Sequence, residues 1–275
     1  MHSDAIEDLE IRLLLQAIRE VYGHDFRDYA EASLKRRLQN WLRTTSFSSF
    51  SEAQAKIVRD PATLDSLVQN ITVNVTEMFR DPDFFHALRE RVLPFLKTYP
   101  FVKIWHAGCA TGEEAYSLAI MLHEMGMQGR FRLYATDINE AALQTAKDGV
   151  FPLNAMQAYT KNYQMSGGSA AFSDYYTANY GHAMFRADLK DAVIFAPHNL
   201  AVDSDFGEMH LILCRNVMIY FKPSLKERCL ALFDRCLLAG HYLCLGTKES
   251  LSGRAIEKNY IKIGERLSIY QKRYE

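Results

Sequence analysis

The sequence predicts a doubly wound α/β domain built on a mostly parallel sheet, preceded by an all-helical domain and carrying a small β insertion. Three observations predict it. Before about residue 100 no strand pattern appears, and apolar residues recur at threes and fours. Beyond it, two short apolar runs, Val102–Ala107 and Phe131–Thr136, bracket a glycine turn and a helix over Ala115–Glu124. A strand, a helix and a strand with a short return pair as a parallel, right-handed unit. Residues 151–185 then break into Tyr, Ser, Gly and Asn for longer than an ordinary connection allows. The expected units are a helical domain over 1–90 and an α/β domain over 91–275, interrupted by a hairpin-bearing subdomain at about 151–190.

Taken in order, the first helix runs from Ile6 to Val21, with Ile6, Leu9, Leu13, Ala17 and Val21 as its apolar pattern. A second spans Ala32–Arg43. Steps of 100° put Leu34, Leu38, Trp41 and Leu42 on one side and Arg36, Gln39, Asn40 and Arg43 on the other. That polar side is either a solvated face or a docking surface for an acidic partner. Ser51–Arg59 and Pro61–Asn70 read as two further helices, the latter with proline in its first turn. Val193–Ala196, His210–Cys214 and His241–Leu245 extend the sheet, with a helix from Pro223 to about Leu238 between the last two.

Composition narrows the function classes. A chain of 275 residues, 48% hydrophobic and 12% aromatic, is a folded globular protein and not a disordered one. A formal net charge of -1 gives no global field for nucleic acid, so any basic site must be local. The five cysteines include no C-x-x-C pair, which argues against a disulfide scaffold and against a metal site. The acidic start, with Arg12, Gln16 and Arg19 breaking the apolar stretch after it, reads as neither a signal peptide nor a membrane span. A soluble, cytoplasmic protein without membrane insertion is expected.

Chemistry enters at Ala107-Gly108-Cys109-Ala110-Thr111-Gly112-Glu113-Glu114, between a strand and a helix. Glycine there allows a tight turn and close approach of the backbone to a ligand. Asp137 follows the second strand, 25 residues after Gly112, close to where nucleotide-binding folds place an acid for ribose hydroxyls. Carboxylates accept hydrogen bonds from a sugar and do not hold a pyrophosphate. A ligand with ribose and no phosphate fits, and S-adenosylmethionine is one. Ala110 departs from G-x-G-x-x-G and disfavours an NAD-linked oxidoreductase.

Further segments support this: Asn70-Ile71-Thr72-Val73-Asn74-Val75-Thr76-Glu77-Met78-Phe79-Arg80-Asp81, His198-Asn199-Leu200 and Leu213-Cys214-Arg215-Asn216-Val217-Met218-Ile219-Tyr220-Phe221. With Gly108–Ser117 and Ala135-Thr136-Asp137-Ile138, they give a chain that resembles the CheR-type chemotaxis receptor (protein-glutamate) O-methyltransferases over essentially its whole length. It departs from the family at Ala115, where proline is usual, and at Gly246-Thr247-Lys248-Glu249, where Gly-x-Ser-Glu is usual.

The resemblance implies the methyltransferase fold, S-adenosylmethionine as cofactor and S-adenosylhomocysteine as product. It implies that Asn74, Thr76 and Arg80 reach over the cofactor from the helical side. Gly108, Glu113, Glu114 and Asp137 would hold its amino-acid and ribose parts, while Asn199, Leu200, Arg215 and Asn216 flank its two ends. Arg80 and Tyr220 would orient the reactants near the reacting methyl. Gly108, Asp137, Asn199 and Asn216 all follow strand candidates, where ligands of such sheets bind.

The implied substrate is a glutamate, or a deamidated glutamine, on the acidic helical bundle of a chemoreceptor. Arg36 and Arg43, with Lys35 and Arg37 on their flanks, are the candidate surface for it. The insertion is a candidate for a receptor's C-terminal tail, added at a sheet edge. Two alternatives keep the same cofactor pocket: a methyltransferase for another protein or a small molecule, and a signalling module that binds the cofactor without transfer.

Overall fold

Apolar residues three and four apart wind the first seventy residues into four helices, α1 (His2–Tyr22), α2 (Glu31–Arg43), α3 (Phe50–Ile57) and α4 (Pro61–Ile71). The computed structural model describes residues 2–73, 76–205 and 207–274. Side chains mark the starts: Ser49 accepts from the Glu52 N–H ahead of α3, and Asp60 accepts from the Ala62 N–H ahead of α4, whose first residue is Pro61. Leu14, Ile18, Phe26, Leu38, Trp41, Phe50, Ile57 and Leu67 close a core between them.

The apolar pattern expected for α1 proves to be largely its outer face. Ile6, Leu9, Leu13 and Val21 are 44–51% exposed, while Ile11, Leu14, Leu15 and Ile18 are buried. Both sets have helical spacing. The second is a complete i, i+3, i+4, i+7 set, and α3 and the domain core cover that stripe.

After Thr72 the packing changes partner. Helix α5 (Pro82–Ala87), a π turn (Leu88–Val92) and α6 (Leu93–Leu96) bury Phe84, Phe85, Leu88 and Leu93 in the core beneath the sheet. By packing, the helical unit therefore ends near Thr72, and the chain up to residue 90 splits between two cores.

The sheet is assembled from β1 (Val102–Ala107), α7 (Glu113–Glu124), β2 (Phe131–Asp137), α8 (Glu140–Asp148), an insertion, β6 (Val193–Pro197), β7 (Met209–Cys214), α11 (Pro223–Cys236) and β8 (Leu237–Leu245). Strands β6, β2, β1, β7 and β8 are neighbours in that order and all parallel. Near-continuous apolar runs such as Leu211-Ile212-Leu213-Cys214 suit strands covered on both faces, and all four residues are buried. Two C-terminal strands that the sequence pattern did not reveal, β9 (Tyr260–Lys262) and β10 (Ile269–Lys272), extend the sheet in the order β8, β10, β9, with β10 antiparallel to β8 and β9 antiparallel to β10.

The insertion is a three-stranded antiparallel sheet of β3 (Val150–Pro152), β5 (His182–Phe185) and β4 (Tyr176–Asn179), in that spatial order, followed by α10 (Ala187–Asp191). It also holds a helix, α9 (Met156–Met165), whose buried Met156, Tyr159 and Tyr163 lie at i, i+3 and i+7 among polar residues. Glu124, at the end of α7, anchors it by accepting from the Tyr163 and Tyr175 hydroxyls and pairing with Arg89.

Candidate active site

Where the helical unit meets the carboxyl ends of the strands, a cleft opens over β6, β2, β1 and β7. It encloses about 1080 Å3 of empty space, the solvent at its mouth included. Backbone contacts fix the seam: Ala30 N–H donates to the Tyr220 carbonyl and Lys222 N–H to the Asp28 carbonyl, both at 2.7 Å, around a bridge between Tyr29 and Phe221. Tyr29, Arg37, Ile71 and Thr72 thus face the strand ends across one cavity.

The glycine turn forms the floor. Gly108 has φ +78°, and a Cβ there would lie 2.3 Å from Val217 Cγ2, so two loops are packed as closely as backbone permits. Asp137 ties the turn to β2, its carboxylate accepting from Ala110 N–H at 2.8 Å and Asn139 N–H at 2.9 Å. Burial raises its pKa, and those N–H groups oppose the shift. Each oxygen keeps a lone pair for a further donor.

At the neighbouring end lies a buried charge network. Arg215 Nη1 donates to Glu114 at 2.5 Å, Arg215 Nη2 to Asp81 at 2.7 Å, and its guanidinium lies 3.9 Å from the Phe84 ring centroid. His106 Nε2 lies 3.2 Å from the other Glu114 oxygen. Burial alone would raise the Glu114 pKa, but Arg215 and His106 together hold it below the usual value, so it is a carboxylate. Phe79, Asp81, Ala110 and Asn216, none of them glycine, all have positive φ in the segments bordering the cleft. Strain of this kind concentrates at functional sites.

Of the expected site residues, Thr76, Arg80, Gly108, Glu114, Asp137, Asn199, Leu200, Arg215, Asn216 and Tyr220 all line this one cavity. Asn74 lies outside the described residues. Glu113 does not line it. Instead Glu113 is buried at the start of α7, accepts from the Thr111 hydroxyl at 2.6 Å, and burial pushes its pKa up to about 7. One step along a helix turns a side chain by 100°, so adjacent glutamates cannot both face the cleft. Arg37 corrects the other way. It was expected on the outer basic face with Arg36 and Arg43, yet only those two are exposed. Arg37 points into the cleft, donating to the Ile71 carbonyl at 3.1 Å with its guanidinium 4.9 Å from the Tyr220 ring centroid.

Sequence reasoning missed His106, Tyr29 and Glu249. His106 hides as an ordinary residue of a buried strand. Glu249 is buried and holds the Asn216 loop, accepting from the Asn216, Gly246 and Ile219 N–H groups at 2.7–3.2 Å.

Buried polar atoms on residues that line this cavity test whether it suits the implied cofactor. Asn199 Nδ2, Arg215 Nε and His106 Nδ1 have no hydrogen-bond partner among the described residues. Such atoms await a ligand with acceptors and donors along its length. A nucleoside carrying an amino-acid tail supplies both, and Asp137 offers acceptor capacity for the ribose between them. The residues fit S-adenosylmethionine.

Fold and cleft define a methyltransferase that uses S-adenosylmethionine. Comparison with known families agrees: residues 9–72 match the all-alpha domain of CheR methyltransferases and residues 74–266 match their SAM-binding domain. The chain belongs to the CheR methyltransferase family. It is 44% identical over 99% of its length to the whole of a Pseudomonas putida protein provisionally named methyltransferase Cher3. It is also 33% identical to chemotaxis protein methyltransferase 2 of Pseudomonas aeruginosa, covering 74% of this chain and 75% of that one. With the chemotaxis protein methyltransferase of Listeria innocua it shares 28% identity over 90% and 92% of the two chains. Among the described residues, no helix is long and apolar enough to cross a membrane, and no acidic, histidine or cysteine cluster is arranged to hold a metal ion.

Proposed function

We propose that the protein transfers the methyl group of S-adenosylmethionine to glutamate side chains on the cytoplasmic helical bundle of chemoreceptors, giving methyl esters and S-adenosylhomocysteine. The observation that carries this reading is the placing of α2. This helix turns Arg37 into the cleft beside Tyr220 and leaves Arg36 and Arg43 exposed on its outer side. One helix thus offers positive charge both to an acidic helical surface and to the single carboxylate that enters the cavity.

Within this reading the helices up to Thr72 supply docking and the roof, and residues 91–275 the transfer site with its insertion at about 151–190. Asp137 accepts the ribose hydroxyls, Asn199 and Leu200 flank the adenine, and Gly108, Glu114, Arg215 and Asn216 hold the methionine end. Thr76 and Arg80 close over it. S-Adenosylmethionine, when bound, supplies a methyl group on a sulfonium cation.

The chain need not remove a proton. A glutamate carboxylate with a pKa near about 4.3 is already ionised at neutral pH. What the residues must do is hold the two reactants in contact and in line, which in well-oriented systems is worth about 7–11 kcal/mol. Arg80 and Tyr220 do this positioning at the cavity wall, and Arg37 fixes the Tyr220 ring from above. The exposed strand β4, at the edge of the insertion's sheet, is the surface offered to a receptor's C-terminal tail.

Incubating the purified protein with tritiated S-adenosylmethionine and receptor-bearing membranes tests the reading. Label on the receptor that mild alkali releases as methanol is expected. Cofactor binding without label, or label that resists alkali, contradicts it.

A further inference from the structure

At the end of β1, His106 is 3% exposed and lines the cleft, between the glycine turn and the Glu114–Arg215 pair. Its two ring nitrogens are in different situations. Nε2 lies 3.2 Å from Glu114, an ionised carboxylate that can only accept, so Nε2 carries the proton. Nδ1 has no hydrogen-bond partner among the described residues. A buried acceptor left bare is a cost to the fold that a bound donor relieves.

The strand order says which part of a ligand meets it. The strand ends lining the cleft run β6, β2, β1, β7, carrying Asn199, Asp137, His106 and Arg215 in turn. A nucleoside whose ribose lies on Asp137 and whose base lies toward Asn199 must extend its amino-acid tail over β1 and β7. There Arg215 Nε is a donor without a partner and His106 Nδ1 an acceptor without one. A tail with an ammonium and a carboxylate satisfies both in one orientation only, the carboxylate toward Arg215 and the ammonium toward His106 and Glu114.

We propose that His106 is a cofactor-binding residue whose Nδ1 accepts a hydrogen bond from the α-ammonium of the cofactor, with the Glu114 carboxylate beside Nε2 fixing the ring. This rests on the proposed placing of the nucleoside at Asp137. The role is one of selection, favouring cofactors with a free amino group over analogues lacking it.

Calorimetry compares two ligands on each protein: S-adenosylhomocysteine and its deaminated analogue, which keeps the carboxylate. For the unchanged protein the first should bind more tightly. Replacements H106A and H106F remove Nδ1 at smaller and at similar side-chain size. Each should weaken S-adenosylhomocysteine by about ten- to hundredfold, the worth of a hydrogen bond to a charged group, and leave the analogue within about twofold. Because both ligands are read on the same variant, a general disturbance of the site moves them together. Equal weakening of both, or of neither, overturns the proposal, and either variant that folds suffices. Failure of the unchanged protein to bind S-adenosylhomocysteine would instead overturn the placing of the cofactor.

Discussion

Arg215 and Glu114 are 101 residues apart in the chain and joined by a buried hydrogen bond of 2.5 Å at the end of the cleft. The same Nη1 also reaches the Arg80 carbonyl at 3.4 Å and Nη2 reaches Asp81, so one guanidinium ties β7, the start of α7 and the loop that carries Arg80. Loss of Arg215 strands a buried carboxylate and unlatches that loop. Arg215→Gln should destabilise the protein by about 3–5 kcal/mol, and Arg215→Gln with Glu114→Gln by clearly less than the two single changes summed. Denaturant titration of the four proteins reads the cycle; strict additivity would mean that the pair is not coupled.

Glu113, next along the helix, predicts a pH effect. Burial raises its folded pKa to about 7, against an ordinary value near 4.5. The folded state therefore holds the proton more tightly than the unfolded chain. Its contribution to stability is full below about 4.5, falls as pH rises towards 7 and is gone above it, a change on the order of 3 kcal/mol at most. Glu113→Gln should flatten the decline in melting temperature between those values, raise stability at pH 8 and leave S-adenosylhomocysteine affinity unchanged. A loss of affinity would return Glu113 to the cofactor site.

Three arginines of α2 divide into two jobs. Arg36→Glu with Arg43→Glu should raise the KM for receptor several-fold without altering cofactor affinity, since both side chains point outward. Arg37→Ala removes the support over Tyr220 and should lower kcat with little change in receptor KM. Steady-state kinetics on receptor membranes separates them, and the same pattern for both variants would abolish the distinction.

At Gly108 the cost of a single methyl group can be split. Gly108→Ala meets a left-handed φ and places its Cβ 2.3 Å from Val217 Cγ2, for an expected loss of about 2–4 kcal/mol. Adding Val217→Ala relieves the overlap and leaves the backbone strain of about 1 kcal/mol together with the small cavity of the valine change. Thermal melts of the two variants give the answer, and no recovery in the double variant would place the whole cost in the backbone.

Much of this site is legible in the amino-acid sequence. Gly108, Asp137, Asn199 and Asn216 each lie at or just past the end of a strand, and strand ends are readable because buried parallel strands are short apolar runs. Helix facing was less so. Two apolar stripes on α1 have the same period, and only the packing of Phe26 and α3 decides that Ile11, Leu14, Leu15 and Ile18 go inside. Helix α9 was lost among tyrosines and asparagines, because Tyr159 and Tyr163 are buried through their rings while their neighbours look like loop. His106 could not be found in the sequence at all. Its significance is a relation between one ring nitrogen, Glu114 and the cleft, and local pattern carries no such information.

The most direct test of the central claim, that one cleft between the helical unit and the strand ends holds the cofactor with its ribose on Asp137, is calorimetric titration with S-adenosylhomocysteine. Binding of one molecule per chain is expected for the unchanged protein, with a loss of about tenfold or more in Asp137→Ala, titrated well below the melting temperature of that variant because it also loses the Ala110 and Asn139 hydrogen bonds. No binding heat, or the same affinity in Asp137→Ala, would contradict the account.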